Sequence, residues 1–307
     1  MKTFIVTGAM GFLGHSFVDW LLKERQNVIV IVRDRKTAFD RWGDSLSIVE
    51  RDLLTEVESI SEKDLGESAN EKILVHFAWD GTSGAERALE TTQFRNVRMS
   101  SELIRKAKDL GCTRFINAGS IMEYEVMKTV IADGERPSKS TMYSIAKLTA
   151  NLMMKTIAAD INIDYVNVII SNIYGPGETS GRFLNSIMRA MSKNEPLELT
   201  DGRQLYDFIY VDDAMRMIRA VSEQGKPFES YYIGNSQQRP LREFVIEAKT
   251  IMNSSSELLF GAVPFRGTPL DYTEFDCKKL ESLGMYPQIS FAEGISRMKD
   301  WLLGQTL

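Results

Sequence analysis

The stretch TFIVTGAMGFLG, Thr3–Gly14, runs a short apolar segment into three glycines, Gly8, Gly11 and Gly14. Phe12, Leu13, Phe17, Trp20 and Leu21 follow at helical spacing in FLGHSFVDWLLKE. The stretch therefore reads as strand, tight turn, helix. Each glycine has a separate task in such a junction. The first permits the bend, the second lets backbone N–H groups approach a ligand, and the third lets the helix lie close on the sheet. A helix that starts here also offers its positive end to an anion. The pattern suits a pyrophosphate, and so a dinucleotide.

Working outward, the alternation continues. NVIVIV, residues 27–32, is a continuous β-branched run, the pattern of a strand buried on both faces. A short strand is expected near Ile48–Val49, then a loop with Asp52. KILVHFA and RFINAGS are further strands, separated by a long helical stretch from about Ala85 to Leu110. TMYSIAKLTA begins a helix expected to reach about Ala159, and DYVNVII is the strand after it. This βαβα rhythm predicts a doubly wound parallel sheet with helices on both faces. After YGPG, residues 174–177, helices near 183–193, 212–223 and 241–252 alternate with short strands and proline-bearing loops. We expect residues 1–170 to form the dinucleotide-binding domain. Residues 171–307 should form a smaller mixed α/β region that binds substrate; the alternative is an interleaved arrangement with part of it returning to the first sheet.

Composition narrows the function. The net charge of −5 over 307 residues argues against a nucleic-acid partner. No run of eighteen apolar residues is present, so no membrane helix is expected. The start lacks the pattern of a signal peptide, which makes a cytoplasmic location the expectation. Two histidines, His15 and His76, and two distant cysteines, Cys112 and Cys277, offer no metal-binding pattern. Asp212 and Asp213 are adjacent, but at a helix start acidic residues serve the first turn.

Two spots carry chemistry. Strand NVIVIV ends in Arg33, Asp34, Arg35 and Lys36. An acid at this place bonds the 2′-hydroxyl of an NAD ribose, whereas a guanidinium suits a 2′-phosphate. Arg33 favours NADP, and Asp34 keeps NAD open. Further on, Tyr143 and Lys147 lie four residues apart and so share one helical face. A phenol is a poor acid or base near neutrality, and a neighbouring ammonium favours its ionised form.

TGAMGFLG, Asp52, HFAW, QFRN (residues 93–96), GSIMEY, YSIAK, NIYGPG and YDFIYVDD stand in this order along the chain. Together they resemble the extended short-chain dehydrogenase/reductase family, in its nucleotide-sugar branch. The resemblance implies a Rossmann fold, a dinucleotide and a nucleotide-sugar substrate. It implies Tyr143 as general acid/base, Lys147 as its tuner and a ligand of the nicotinamide ribose, and Ser120 as the residue holding the substrate oxygen. By the same resemblance the cofactor meets Gly8, Gly11, Phe12, Leu13, Gly14, Arg33, Asp52, Leu53, Phe77, Ala78, Trp79 and Asn96. Substrate is expected at Trp79, Met122 and Asn172. The family's helices equivalent to residues 93–110 and to the Tyr143 helix form a dimer interface, so a homodimer is expected.

Departures from the family pattern narrow the reaction. Members that act as 4,6-dehydratases resemble one another in an acidic pair after the Ser/Thr position; here Ile121 and Met122 stand there, and Glu123 should point elsewhere. That argues for a 4-ketoreductase or a 4-epimerase. Arg33 tilts toward NADPH and reduction, and the segment LFGAVPFRGTPLDYTEFDCKKLESLGMYP resembles the tail of CDP-abequose-type synthases. The alternative is an NAD-dependent 4-epimerase, with a non-catalytic dinucleotide sensor third. Tyr206 replaces the family arginine that meets the substrate diphosphate; Arg266, then Arg203 and Arg182, are the candidates to supply it. Ile169 replaces another family arginine, and Trp79 an alanine.

Overall fold

The computed structural model describes residues 2–66, 71–134, 136–139, 141–265, 267, 269–270, 272, 275 and 277–304. The chain forms two compact units, Met1–Ile169 with Ile218–Tyr231, and Ile170–Met217 with Tyr232–Leu307.

In chain order the first stretch contains β1 (Lys2–Thr7), α1 (Phe12–Lys23), β2 (Asn27–Val32), α2 (Arg35–Trp42), β3 (Ser47–Glu50), α3 (Glu62–Leu65), β4 (Glu71–His76) and α4 (Glu90–Asp109). β5 (Cys112–Ser120), α5 (Met122–Glu125), α6 (Thr141–Ile161) and β6 (Asp164–Ile170) follow. Next come β7 (Asn172–Tyr174), α7 (Phe183–Ser192), β8 (Leu197–Leu199), β9 (Leu205–Tyr206), β10 (Phe208–Tyr210), α8 (Val211–Gln224), β11 (Ser230–Ile233), β12 (Arg239–Pro240), α9 (Leu241–Met252), β13 (Leu258–Phe260), α10 (Lys278–Glu281) and α11 (Phe291–Gly304).

Seven strands make one sheet in the order β11-β6-β5-β4-β1-β2-β3. β1 pairs in parallel with β2 on one side and β4 on the other, so Val6 faces both Val30 and Val75. The strand order reverses at β1, and such a switch point opens a crevice at the carboxyl ends of the strands. The β-branched runs make these strands because both faces are covered. Phe4 packs against Phe17 of α1 with ring centroids 6.2 Å apart. The opposite face joins Ile5, Ile29, Ile31 and Leu74 to Leu103 and Ile104 of α4. Ala146, Ala150, Met154 and Ala158 form the buried stripe of α6 in the same cluster. The three alanines let α6 pack closely beside α4.

The expected helix from Ala85 to Leu110 divides in two. Ala85–Ala88 is a 3₁₀ turn, Leu89 is extended (φ −87°, ψ 116°), and α4 starts at Glu90. No glycine or proline marks the break. Tertiary hydrogen bonds do: Gln93 Nε2 donates to the Gly81 carbonyl at 3.0 Å and the Glu86 carbonyl at 3.2 Å.

In the second unit, β10 pairs with β7 and β13 with β8 in parallel, and β12 with β9 antiparallel. Aromatic rings form its core: Phe244 lies 4.9 Å from Phe208 and 4.7 Å from Phe291 between centroids. Asp207 is buried as a tie-point. Its Oδ2 accepts from the Tyr232 hydroxyl at 2.6 Å and the Asn235 and Ser236 amides at 2.9 and 3.0 Å. Asp213 accepts from the Gln288 and Ile289 amides and pairs with Arg216, which accounts for one of the two adjacent acids in the first turn of α8. Among the described residues no helix is long and apolar enough to cross a membrane, and no group of three or more His, Cys, Asp or Glu side chains is placed to hold a metal.

Candidate active site

A crevice of about 400 Å³ lies in the first unit at the switch point. Gly8, Gly11, Arg33, Asp52, Leu53, Phe77, Ala78, Trp79 and Asn96 all line it. Gly8 has φ +67°, and a Cβ there would stand 2.5 Å from the Ala78 nitrogen. Only glycine satisfies both constraints. Gly14 is buried in α1, where a Cβ would meet the Gly8 carbonyl oxygen at 2.1 Å, so it serves helix–turn packing. Phe12 and Leu13 share that first helical turn, outside the residues lining the crevice. No side chain caps the start of α1 and no acid lies in its first turn. The orphan amides and the positive helix end are thus left to an anion, which fits a pyrophosphate.

At the far end of the crevice Arg33 Nη1 lies 3.6 Å from Asp80 Oδ2, both side chains well exposed. Asp34 is engaged elsewhere. It caps α2, Oδ1 accepting from the Lys36 and Thr37 amides at 2.9 and 3.2 Å. The Thr37 hydroxyl, first, and these amides hold its carboxyl below the usual range. Asp52 accepts from the Leu54 amide at 3.0 Å, shaping the loop under the crevice. Asn96 is fully buried. Its amide clamps the backbone of Asp80, donating to the carbonyl at 2.8 Å and accepting from the N–H at 2.9 Å.

A buried chain of hydrogen bonds joins these parts. The Ser100 hydroxyl donates to the Asn96 carbonyl at 2.8 Å, so it accepts from His76 Nε2 at 3.0 Å. His76 Nδ1 then accepts from the Thr7 hydroxyl at 2.8 Å. His76 is thereby a neutral Nε2–H tautomer in a structural role. Burial, with the Lys147 charge second, pushes its pKa down from 6.5 to about 3. The unfolded chain therefore takes up a proton between pH 6.5 and 3 that the folded chain refuses. Stability is full above pH 6.5 and falls as pH drops through that window, by up to about 1.4 kcal/mol per pH unit. Thermal unfolding at pH 7, 6 and 5 checks this. His76→Asn should flatten the slope, and an unchanged slope would assign it to other groups.

The side chains expected to react come from β5 and α6. Ser120 ends β5, its Oγ accepting from the Met122 amide at 3.2 Å. Tyr143 and Lys147 lie in the first two turns of α6, both mostly buried. Lys147 Nζ donates to the Ala118 carbonyl at 3.0 Å and sits 3.8 Å above the Trp79 ring. Trp79 is edge-on to Tyr143 with centroids 6.2 Å apart, and its Nε1 donates to Gln93 Oε1 at 3.0 Å. Trp79 thus links the crevice wall to the α6 pair. The Arg87 guanidinium lies 3.8 Å from the centre of the Tyr143 ring. Lys147 Nζ lies 6.0 Å from the same ring centre, so two basic side chains flank the phenol.

Met122 is half-buried beside Ser120. Asn172, Arg182 and Arg203 belong to the second unit. Asn172 Nδ2 donates to the Asp207 carbonyl at 3.1 Å and the Tyr272 hydroxyl at 3.2 Å. Arg182 Nε is 3.5 Å from Glu178 Oε2, and Arg203 Nε is 3.5 Å from Asp201 Oδ2. Arg266 lies outside the described residues. Arg87, Gln93, Asp80 and Glu123 were not among the expected site residues. Gln93 and Glu123 stand inside motifs that did point to the site, whereas nothing local to Arg87 or Asp80 marks either.

The model of the family described as NAD dependent epimerase/dehydratase matches residues 4–234. CDP-abequose synthase of Salmonella typhimurium is 25% identical over 314 residues, covering 96% of each chain. A putative UDP-glucose 4-epimerase of Methanocaldococcus jannaschii is 26% identical over 320 residues, 97% of each. Among solved structures, UDP-glucuronic acid 4-epimerase from Bacillus cereus, in complex with UDP-glucuronic acid and NAD, superposes with a TM-score of 0.81. It is 20% identical and covers 99% of this chain and 100% of its own, a likeness of fold. With the glycine junction, the switch-point crevice and a family match over residues 4–234, the chain belongs to the NAD dependent epimerase/dehydratase family and is an NAD(P)-dependent enzyme.

Proposed function

We propose that the protein reduces the 4-keto group of a nucleotide-linked 6-deoxy sugar with NADPH. The observation that carries this reading is the segment after Ser120. Ile121 is buried and apolar, Met122 has no acid, and Glu123 turns inward to the Ser120 amide. No carboxyl group of that segment is offered to a substrate, so eliminating water from the sugar lacks its acid. Addition to the carbonyl needs none beyond a phenol.

A bound nicotinamide supplies the hydride. The glycine turn and the start of α1 hold the pyrophosphate, and Arg33 pairs with the 2′-phosphate, exchanging its Asp80 partner for it. Ser120 donates a hydrogen bond to the substrate oxygen. Tyr143 gives that oxygen its phenolic proton as the carbon is reduced, so the C=O becomes CH–OH. Lys147 and Arg87 stabilise the phenolate left behind until water returns a proton. The relative named CDP-abequose synthase supports a nucleotide-sugar substrate. Exposed apolar side chains on α4 and α6, Phe94, Ile145, Leu152 and Met153, support a homodimer through these helices.

The test mixes protein, NADPH or NADH and a panel of CDP-, dTDP-, UDP- and GDP-linked 4-keto-6-deoxy sugars. We expect loss of the reduced-nicotinamide band with at least one, and a kcat/KM at least about tenfold higher with NADPH, a preference worth about 1.4 kcal/mol. Arg33→Ala should remove that preference. The second reading, a 4-epimerase holding NAD, draws on Asp80, which already partly neutralises Arg33. Purified protein that carries NAD and interconverts 4-epimers with nothing added would establish it instead.

A further inference from the structure

The mechanism above leaves one buried charge beside the reacting groups without a task. Glu123 is 2% exposed. Its Oε1 accepts from the Ser120 amide at 2.8 Å, and its Oε2 accepts from Asn151 Nδ2 at 2.7 Å. Asn151 Oδ1 in turn accepts from the Tyr165 hydroxyl at 2.8 Å. Gly119 shows how tight the enclosure is. A Cβ there would stand 2.6 Å from Glu123 Oε1 and from Asn167 Oδ1. Asn167 Oδ1 accepts from Asn117 Nδ2 at 2.8 Å.

Hydrogen bonds to neutral amides do not cancel a charge removed from water. The groups facing Glu123 are the Ser120 amide from β5, Asn151 and Lys147 from α6, and Asn167 and Tyr165 from β6. Of these, Lys147 carries the charge that acts on it. Lys147 has the matching need, being 6% exposed with its ammonium on a neutral carbonyl and an indole face. Both residues hold the end of β5. Lys147 holds the Ala118 carbonyl, and Glu123 holds the amide of Ser120, two residues on.

We propose that Glu123 is a positioning residue: its carboxylate fixes the Ser120 backbone and is the buried counter-charge that keeps Lys147 an ammonium. The inference rests on reading Ser120, Tyr143 and Lys147 as the catalytic set. The electrostatics are consistent in sign. Burial drives Lys147 toward the neutral amine, Arg87 adds to that, and Glu123 opposes both. Burial likewise favours the neutral acid of Glu123, which Lys147 opposes. Without the Glu123 charge, Lys147 loses its proton at lower pH.

Full-length protein with lysines labelled at Cε, the signal assigned by Lys147→Arg, reports that proton directly and needs neither cofactor nor substrate. Glu123→Gln keeps the shape and removes the charge. Its Lys147 midpoint should fall by at least about one pH unit, and the alkaline limb of kcat/KM should move down with it. Glu123→Asp keeps the charge but shortens the reach. It should leave the midpoint near wild type and lower kcat more than it changes KM. An unmoved midpoint in Glu123→Gln overturns the proposal. If that variant does not fold, the wild type decides: the Glu123 carboxyl carbon and Lys147 Cε should share a titration step, and independent steps overturn the proposal. Failure of the sugar-reduction reading would show as no turnover with a normal Lys147 shift, so the two failures are distinguishable.

Discussion

Tyr143→Phe should lower kcat by about 10³-fold, the usual range for losing a positioned general acid. KM for the cofactor should change by less than about threefold. The hydroxyl is the one group removed, and the ring remains to pack against Trp79 and beneath Arg87. The Lys147–Ala118 hydrogen bond is untouched, as are the glycine turn and the crevice lining. Binding, which depends on those, should persist while proton transfer fails. Steady-state kinetics and cofactor titration on the same preparation check the split. A variant within tenfold of wild-type kcat would move the proton donor to another group.

Gly14→Ala should be the most damaging single substitution in the glycine junction. The new methyl would stand 2.1 Å from the Gly8 carbonyl oxygen, 2.7 Å from the Gly8 carbonyl carbon and 2.8 Å from the Ala9 Cα. All three are backbone atoms, so no side chain can swing aside. Either α1 lifts from the sheet or the turn at Gly8 opens. We expect a loss of about 3 kcal/mol or more, at the upper end of overpacking effects. For a chain of this size that is roughly 5 °C in Tm. Gly11→Ala is the internal control. Its Cβ meets only the Gly8 oxygen, at 3.4 Å, and the backbone there (φ −78°, ψ 163°) suits any residue. It should leave Tm within about 2 °C yet weaken cofactor binding, because the added methyl enters the lining of the crevice. Equal effects of the two changes would contradict this assignment of roles.

Much of the first unit is legible along the chain because its signals are local. NVIVIV can be little but a strand covered on both faces, and Gly8 and Gly14 stand where a side chain has no room. Tyr143 and Lys147 share a face by helical geometry alone. What was illegible depends on distant partners. The break at Leu89 has no helix-breaking residue and follows from Gln93 reaching back to Gly81 and Glu86. Arg87 lies on the Tyr143 ring only because that 3₁₀ turn aims it there. Glu123 was expected to point elsewhere than the substrate, and it does turn inward. Its partners Asn151 and Tyr165 are scattered over some forty positions of sequence, and no spacing announces them.

The edge of the seven-stranded sheet has a consequence for biosynthesis. β6 ends at Ile170, but its outer neighbour, β11, starts only at Ser230. A growing polypeptide must therefore emerge from the ribosome for some sixty further residues while β6 offers a bare row of N–H and C=O groups beside its apolar side chains. Such a row is a template for pairing with another chain. A fragment stopped at residue 170 would retain every glycine of the nucleotide turn and still be prone to clump, for want of four residues encoded much later.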